Sequence, residues 1–335
     1  MLQNGLVLQN RYRIAQLLHQ SRHADVYMVE DQHLNDRVWT IRVMQLFASD
    51  SFERTRVVGE FTAEAQRLSQ LDHPGLAKVV DFFVDGNQLY IVREFVHGTD
   101  LATTLGGRVL PLSEREALNA LSQIVDTLIY LVGRKVSAIF FREMNASNIL
   151  LCQSGQVKLL DLGLARVFHP NDSDVHARVG SLDYASPEQF SEGGTFDQRS
   201  LVYSCGAILY HMVTRRNPAL SPFALDPVED INPNLSPAVE EIVHRATEND
   251  PRNRYPSLGD LKKSIQHVLR APAGSRRPPR PRPPSRDLRS VRFAATDDDD
   301  DEVYDGSLWQ WILVAVLVSL MSGALLAIYY YFFRP

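Results

Sequence analysis

Residues 141–163 read F-R-E-M-N-A-S-N-I-L-L-C-Q-S-G-Q-V-K-L-L-D-L-G. Three polar side chains, Glu143, Asn145 and Asn148, are followed by the apolar run N-I-L-L, and the stretch closes on D-L-G at 161–163. Working upstream, R-Y-R-I-A-Q-L-L (11–18), D-V-Y-M-V (25–29) and V-W-T-I-R-V (38–43) alternate or concentrate β-branched and aromatic residues at strand-like length. From Ser113 the pattern turns helical. Ser113 and Glu116 form a capping-box pair, and Ala117, Leu118, Leu121, Ile124, Val125, Leu128 and Ile129 fall on one helical face. Downstream, an apolar helix is predicted over 201–213, and Ser236 with Pro237 and Ser257 with Asp260 mark two later helix starts. A strand-rich first lobe followed by a helical second lobe is an α+β two-lobe plan, with a ligand site expected in the cleft between them.

The chain has 335 residues and 44% hydrophobic content, enough for a sizeable core. Its two cysteines, Cys152 and Cys205, lie far apart and suggest neither a disulfide framework nor a zinc site. A net charge of -5 gives no reason to expect a nucleic-acid partner, and the clustered basic residues lie in a tail. Residues 1–10 lack the basic start and apolar run of a secretion signal. From Leu308 to Phe333 there is no charged residue, a length that suits a single transmembrane helix. Trp309 and Trp311 at one end and Tyr329, Tyr330 and Tyr331 at the other fit interfacial aromatic belts. Arg286, Arg289 and Arg292 precede this segment and only Arg334 follows it, so the positive-inside rule places the large N-terminal part in the cytoplasm and the C-terminus outside. An external sensor domain is therefore not expected. Residues 271–307 run through R-R-P-P-R-P-R-P-P-S-R into D-D-D-D-D-E, a composition that reads as a solvated linker with an extended, proline-rich half. The expected organisation is thus a domain over 1–270, its first lobe about 1–96 and its second about 97–270, then the linker, then the membrane segment at 308–333.

The order and spacing of D-L-G at 161–163, S-P-E at 186–188, N-I-L-L from Asn148 and D-P-R-N-R at 250–254 are similar to those of the eukaryotic-like Ser/Thr protein kinases of bacteria. The resemblance covers nearly all of Arg11 to Leu269. It implies a protein-kinase-like fold and an ATP and Mg²⁺ cleft, and it allows each position of that cleft to be compared. In the family, a glycine-rich turn lets backbone N–H groups approach the phosphates. Here the turn reads L-H-Q-S-R-H-A-D-V-Y (18–27), with His19, Ser21 and Ala24 at the glycine positions, and an ordinary polar hairpin is the favoured reading. The V-A-I-K strand appears as W-T-I-R: Thr40 replaces the alanine over adenine and Arg42 the lysine. The resemblance assigns the partner glutamate to Glu64, so an Arg42–Glu64 pair is anticipated. Arg93 occupies the usually apolar position just before the hinge, and a buried guanidinium needs a partner, for which Glu64 and Asp161 are the candidates.

The family's H-R-D-x-K-x-x-N is here F-R-E-M-N-A-S-N. The base position is Glu143, whose extra methylene moves the oxygens by about 1 Å, a displacement that can cost about a hundredfold in rate. Asn145 stands where a lysine would neutralise the transferring phosphate. Ser181 matches the hydroxyl that steadies this loop. Phe141 replaces the histidine and Leu201 a buried aspartate, and Leu68 and Leu162 are placed to stack with Phe141. Asn148 and Asp161 match the metal-holding positions, and Val26 and Leu150 the apolar residues around adenine. Glu188 and Arg254 resemble the ion pair that braces the helical lobe. Arg142 is kept, so a phosphate on the activation segment, with Ser173 the exposed candidate, would find a cation. The leading expectation is a membrane-anchored pseudokinase that docks a protein partner and binds ATP weakly or not at all. The alternatives are a low-activity Ser/Thr kinase with Glu143 as base, Arg42 on the phosphates and Mg²⁺ on Asp161 and Asn148, and a nucleotide sensor without transfer.

Overall fold

The structure, a computed structural model, describes residues 1–20, 24–134, 144–160, 183–191 and 196–271. The linker and the 308–333 segment lie outside these residues, as do Ser21, Phe141, Arg142, Glu143, Asp161, Leu162, Ser173 and Ser181.

Six strands build the first lobe: β1 (Val7–Leu8), β2 (Tyr12–Gln20), β3 (Ala24–Asp31), β4 (Arg37–Gln45), β5 (Val79–Asp85) and β6 (Gln88–Glu94). They form one antiparallel sheet in the order β1-β2-β3-β4-β6-β5. Both faces are apolar, and the two-residue period of a strand sorts the side chains between them. Tyr90 and Val92 join Tyr12, Ile14, Tyr27, Val29 and Ile41 in one cluster, while Leu89 and Ile91 join the main core with Phe61, Ala65 and Leu68. Those last three lie on helix α1 (Ser51–Ser69), which begins at Asp50 because the Asp50 carboxylate accepts the Glu53 N–H.

The second lobe starts with β7 (Gly98–Asp100) and α2 (Leu101–Gly107), then α3 (Glu114–Gly133) with the anticipated Ser113–Glu116 capping box. A small sheet pairs β7 with β8 (Ile149–Cys152) and β8 with β9 (Val157–Leu159). Helix α4 (Gln198–Thr214) is buried on almost every face, and α5 (Val228–Ile231), α6 (Pro237–Ala246) and α7 (Leu258–Arg270) complete the lobe. The predicted starts at Ser236 and Ser257 are the N-caps of α6 and α7. Cys152 is half-buried and Cys205 buried, both as free thiols. Among the described residues no helix is long and apolar enough to cross a membrane.

The chain segment before β5 ties the lobes together. Leu159 donates its N–H to Gly75 O at 2.8 Å, and Ala77 donates to Leu159 O at 3.2 Å. Gly75 is required there by close approach, since a Cβ would fall 2.0 Å from Thr127 Oγ1 on α3. A second tie is ionic: Lys158 on β9 meets Glu94, the last residue of β6, at 2.7 Å.

Candidate nucleotide cleft

Strand register decides which side chains reach the cleft. Val26 pairs with Arg42 across β3 and β4, and Thr40 pairs with Arg93 across β4 and β6. Directly opposed residues of an antiparallel sheet share a face, so Val26, Thr40, Arg42 and Arg93 line one surface. Leu150 is buried on β8, in the other lobe. The Thr40 hydroxyl is within hydrogen-bonding reach of two carbonyls at the strand end, Arg93 O at 3.3 Å and Glu94 O at 3.2 Å. Strands β2 and β3 pair antiparallel with exposed His19 opposite Val26, and residues 21–23 between them lie outside the described residues.

Arg93 is 8% exposed, and its Nη1 donates to the backbone carbonyl of Leu160. Burial, and secondarily the charge of Arg42, pull its pKa down to about 9, which leaves it protonated at neutral pH. Of the two partners anticipated for it, Asp161 lies outside the described residues and Glu64 is engaged elsewhere. Glu64 is 7% exposed; its Oε2 accepts Arg67 Nη1 at 2.9 Å, and its Oε1 has no hydrogen-bond partner among the described residues. Burial pushes the Glu64 carboxyl above the usual range, against the opposing pull of Arg67. The anticipated Arg42–Glu64 pair is therefore not made. Arg67, three residues along the same helix, is the nearer cation and takes Oε2 instead.

The catalytic-loop remnant is built by backbone. Asn145, in the lysine position, caps a single 3-10 turn at Ala146–Asn148, its Oδ1 accepting the Ser147 N–H at 3.0 Å. Asn148 donates its N–H to Asn145 O at 2.9 Å and accepts the Leu160 N–H at 2.9 Å. Leu160 is thus held from both sides, its N–H by Asn148 and its carbonyl by Arg93, directly before Asp161 in the chain. Glu143 and Ser181 lie outside the described residues.

Below the cleft, Glu188 and Arg254 make the expected brace. Arg254 is 1% exposed and grips both carboxylate oxygens at 2.8 Å, while its remaining donors reach Glu248 O at 2.6 Å, Arg199 O at 3.0 Å and Asn249 O at 3.1 Å. Ser200 adds a hydroxyl to Glu188 at 2.6 Å. Burial raises the Glu188 carboxyl, but the Arg254 bonds and charge with the Ser200 bond outweigh it, so the net shift is downward. Leu201, in the position of a buried aspartate, is 2% exposed and packs in the apolar core, as does Leu68.

Two contacts had no warning in the side-chain pattern. The Lys158–Glu94 pair joins residues 64 apart in sequence, and the Arg93 contact uses a carbonyl, which every residue possesses. Asn145 did carry a signal, since asparagine two residues before a serine N–H is a common local turn former.

A curled antiparallel sheet with one long helix, joined by a strand end to a helical lobe, defines the two-lobe architecture of a protein kinase. The chain belongs to the protein kinase family, whose protein kinase domain matches residues 13–270. It is 30% identical over 280 residues to the serine/threonine-protein kinase PrkC of Bacillus subtilis, covering 80% of this chain and 42% of that protein. It is 29% identical over 278 residues to the probable serine/threonine-protein kinase PknB of Lactococcus lactis, covering 79% and 43%. With the serine/threonine-protein kinase PknA of Mycobacterium tuberculosis it shares 30% over 296 residues, covering 83% and 64%. The chain thus spans less than half the length of the first two. Among solved structures, the PknI kinase domain of Mycobacterium tuberculosis superposes with a TM-score of 0.62 at 22% identity, covering 80% of this chain and 99% of that one, a likeness of fold.

Proposed function

We propose that the chain is a membrane-anchored pseudokinase, a kinase-family domain that docks a protein partner and does not turn over ATP. The observation that carries this reading is the engagement of Glu64. In a working cleft the carboxylate on α1 would hold the cation on β4 against the phosphates; here it bonds Arg67 of its own helix. The sequence adds Arg42 for lysine, Asn145 for the phosphate-neutralising lysine, Glu143 for the shorter base and no glycine in the first turn. Each removes part of the positioning and charge stabilisation on which phosphoryl transfer depends. Anchoring is proposed from the uncharged run at 308–333, with the domain cytoplasmic and the C-terminus external.

A second reading, a low-activity Ser/Thr kinase using Glu143 as base, is favoured by the relatives, all of which are named serine/threonine-protein kinases. The two readings part in a transfer assay with radiolabelled ATP, Mg²⁺ and generic protein substrates, run beside Glu143→Ala. The pseudokinase reading expects no incorporation above background in either protein. Incorporation by the natural chain that vanishes in the Glu143→Ala variant establishes the kinase instead.

A further inference from the structure

The segment L-D-H-P-G-L at 71–76, between α1 and β5, is shaped by a side chain that titrates. His73 Nδ1 accepts the Gly75 N–H at 3.0 Å. A backbone amide can only donate, so this ring nitrogen carries a lone pair and the neutral imidazole has its proton on Nε2. The half-buried ring stacks on Tyr130 of α3 with centroids 4.8 Å apart, and the Tyr130 hydroxyl accepts the Asp72 N–H at 3.1 Å. Gly75 belongs to the tie between the lobes. Its carbonyl takes the Leu159 N–H, the Leu159 carbonyl takes the Ala77 N–H, and Thr127 leaves no room for a Cβ on it. Gln156 adds a bond from its Nε2 to Pro74 O at 2.9 Å. One imidazole therefore fixes the bend by which this segment meets both α3 and β9.

We propose that His73 is a proton-sensitive latch on the tie between the lobes, holding residues 72–77 against α3 and β9 while its ring is neutral and releasing them when it is protonated. A proton on Nδ1 sets one N–H against another, so the buried Gly75 amide loses its only acceptor and the ring must turn away. The groups around the ring pull in opposite directions. Burial disfavours the imidazolium and outweighs Asp126 on α3, which favours it, so the ring is held below the ordinary imidazole range. The Tyr130 face attracts cations, but Arg134 already lies 5.2 Å from that centroid and repels a second. Asp72 and Lys78, at the two ends of the segment, are exposed and 3.9 Å apart, and they offset each other. A histidine that folds better neutral contributes fully above its unfolded value of about 6.5, and that contribution is lost as pH falls from there towards the lower folded value.

The latch is independent of whether the cleft transfers phosphate, and its test reads neither ATP nor product. Amide hydrogen exchange of the 335-residue chain in detergent micelles is followed by mass spectrometry at pH 7.5 and 5.5, with labelling times scaled for the intrinsic pH dependence of exchange. In the natural chain, protection over 71–78 and 157–160 should fall at least threefold at pH 5.5. The ceiling is about tenfold, the limit for a group of pKa about 6.5 studied one unit below it. His73→Asn keeps a side-chain acceptor two residues before the Gly75 N–H but does not titrate, and its protection should change less than twofold. His73→Ala has no acceptor, so its protection should be low and equal at the two pH values. A fall of the same size in the natural chain and in His73→Asn overturns the proposal, as does a natural chain that loses no protection. If His73→Asn fails to fold, His73→Ala decides: a pH effect that persists in it, or protection at pH 7.5 as full as that of the natural chain, removes the latch.

Discussion

At the scale of single residues, the strongest commitment in the second lobe is Arg254. Its guanidinium is closed off from water and spends its donors on two carboxylate oxygens and three carbonyls. Removing one partner of such a pair leaves a buried charge without compensation, and that usually costs about 3–5 kcal/mol. Arg254→Ala should therefore lower the unfolding free energy of the domain, measured by urea denaturation, by about that amount. Arg254→Lys should recover little, because an ammonium cannot reproduce the two parallel bonds to Glu188. The same pair sets a pH dependence. The Glu188 carboxyl is held below its unfolded value, so its contribution is complete above the ordinary glutamate range, about 4.3, and fades as pH falls through the lower folded value. A Glu188→Gln variant, though less stable at neutral pH, should lose less stability than the natural domain between about pH 5 and pH 3. Parallel acid-limb curves for the two proteins would contradict the assignment.

At the scale of elements, two glycines in helices give opposite predictions from one substitution. Gly206 lies in α4, where a Cβ would stand 2.6 Å from Ala246 Cβ and 2.8 Å from Thr247 Cγ2, so the glycine is what lets α4 touch the end of α6. Gly206→Ala should destabilise by about 1–3 kcal/mol through overpacking, despite alanine's better helix propensity. Gly59 is exposed in α1 with nothing within 4 Å of its would-be Cβ, and there Gly59→Ala should stabilise by about 0.5–1 kcal/mol. Thermal denaturation of the pair reads both signs, and a matching sign would mean that packing at α4 does not limit the lobe. The helices themselves were legible in the sequence because their signals are local. Ser113–Glu116, Ser236–Pro237 and Ser257–Asp260 each sit within one turn of the element they start. Strand β1 was not legible: it is two residues long, and it is turned into β2 by Gln9 and Asn10, both with a φ of 50°, a conformation that no glycine announced. The cleft was legible as a set of residues but not as a set of bonds. Sequence placed Glu64 on the right helix, yet whether it faces β4 or Arg67 depends on how α1 sits against the sheet, and that orientation is a property of packing.

At the scale of the whole molecule, the kinase-family domain and the proposed anchor make separate predictions. Helix α7 ends at Arg270 and is fastened to α3, with Lys262 bonded to Asp126 and to Ser122 Oγ at 2.8 Å. The core of the described residues is made by elements that end with α7, so a chain ending at residue 275 is expected to fold with an unchanged unfolding temperature. The complete chain should instead sediment with membranes and resist carbonate extraction, as an uncharged span of this length requires. Orientation is read by replacing Pro335 with cysteine and treating intact cells with a membrane-impermeant maleimide. The two natural cysteines give little background: burial pushes the Cys205 thiol up to about 12, which suppresses the reactive thiolate, and Cys152 lies on the cytoplasmic side in this topology. Labelling before lysis that depends on the added cysteine supports an external C-terminus. Labelling only after lysis reverses the orientation, and recovery of the full chain in the soluble fraction removes the anchor, while the observed bonds of Arg93 to Leu160 O and of Glu64 to Arg67 stand independently of it.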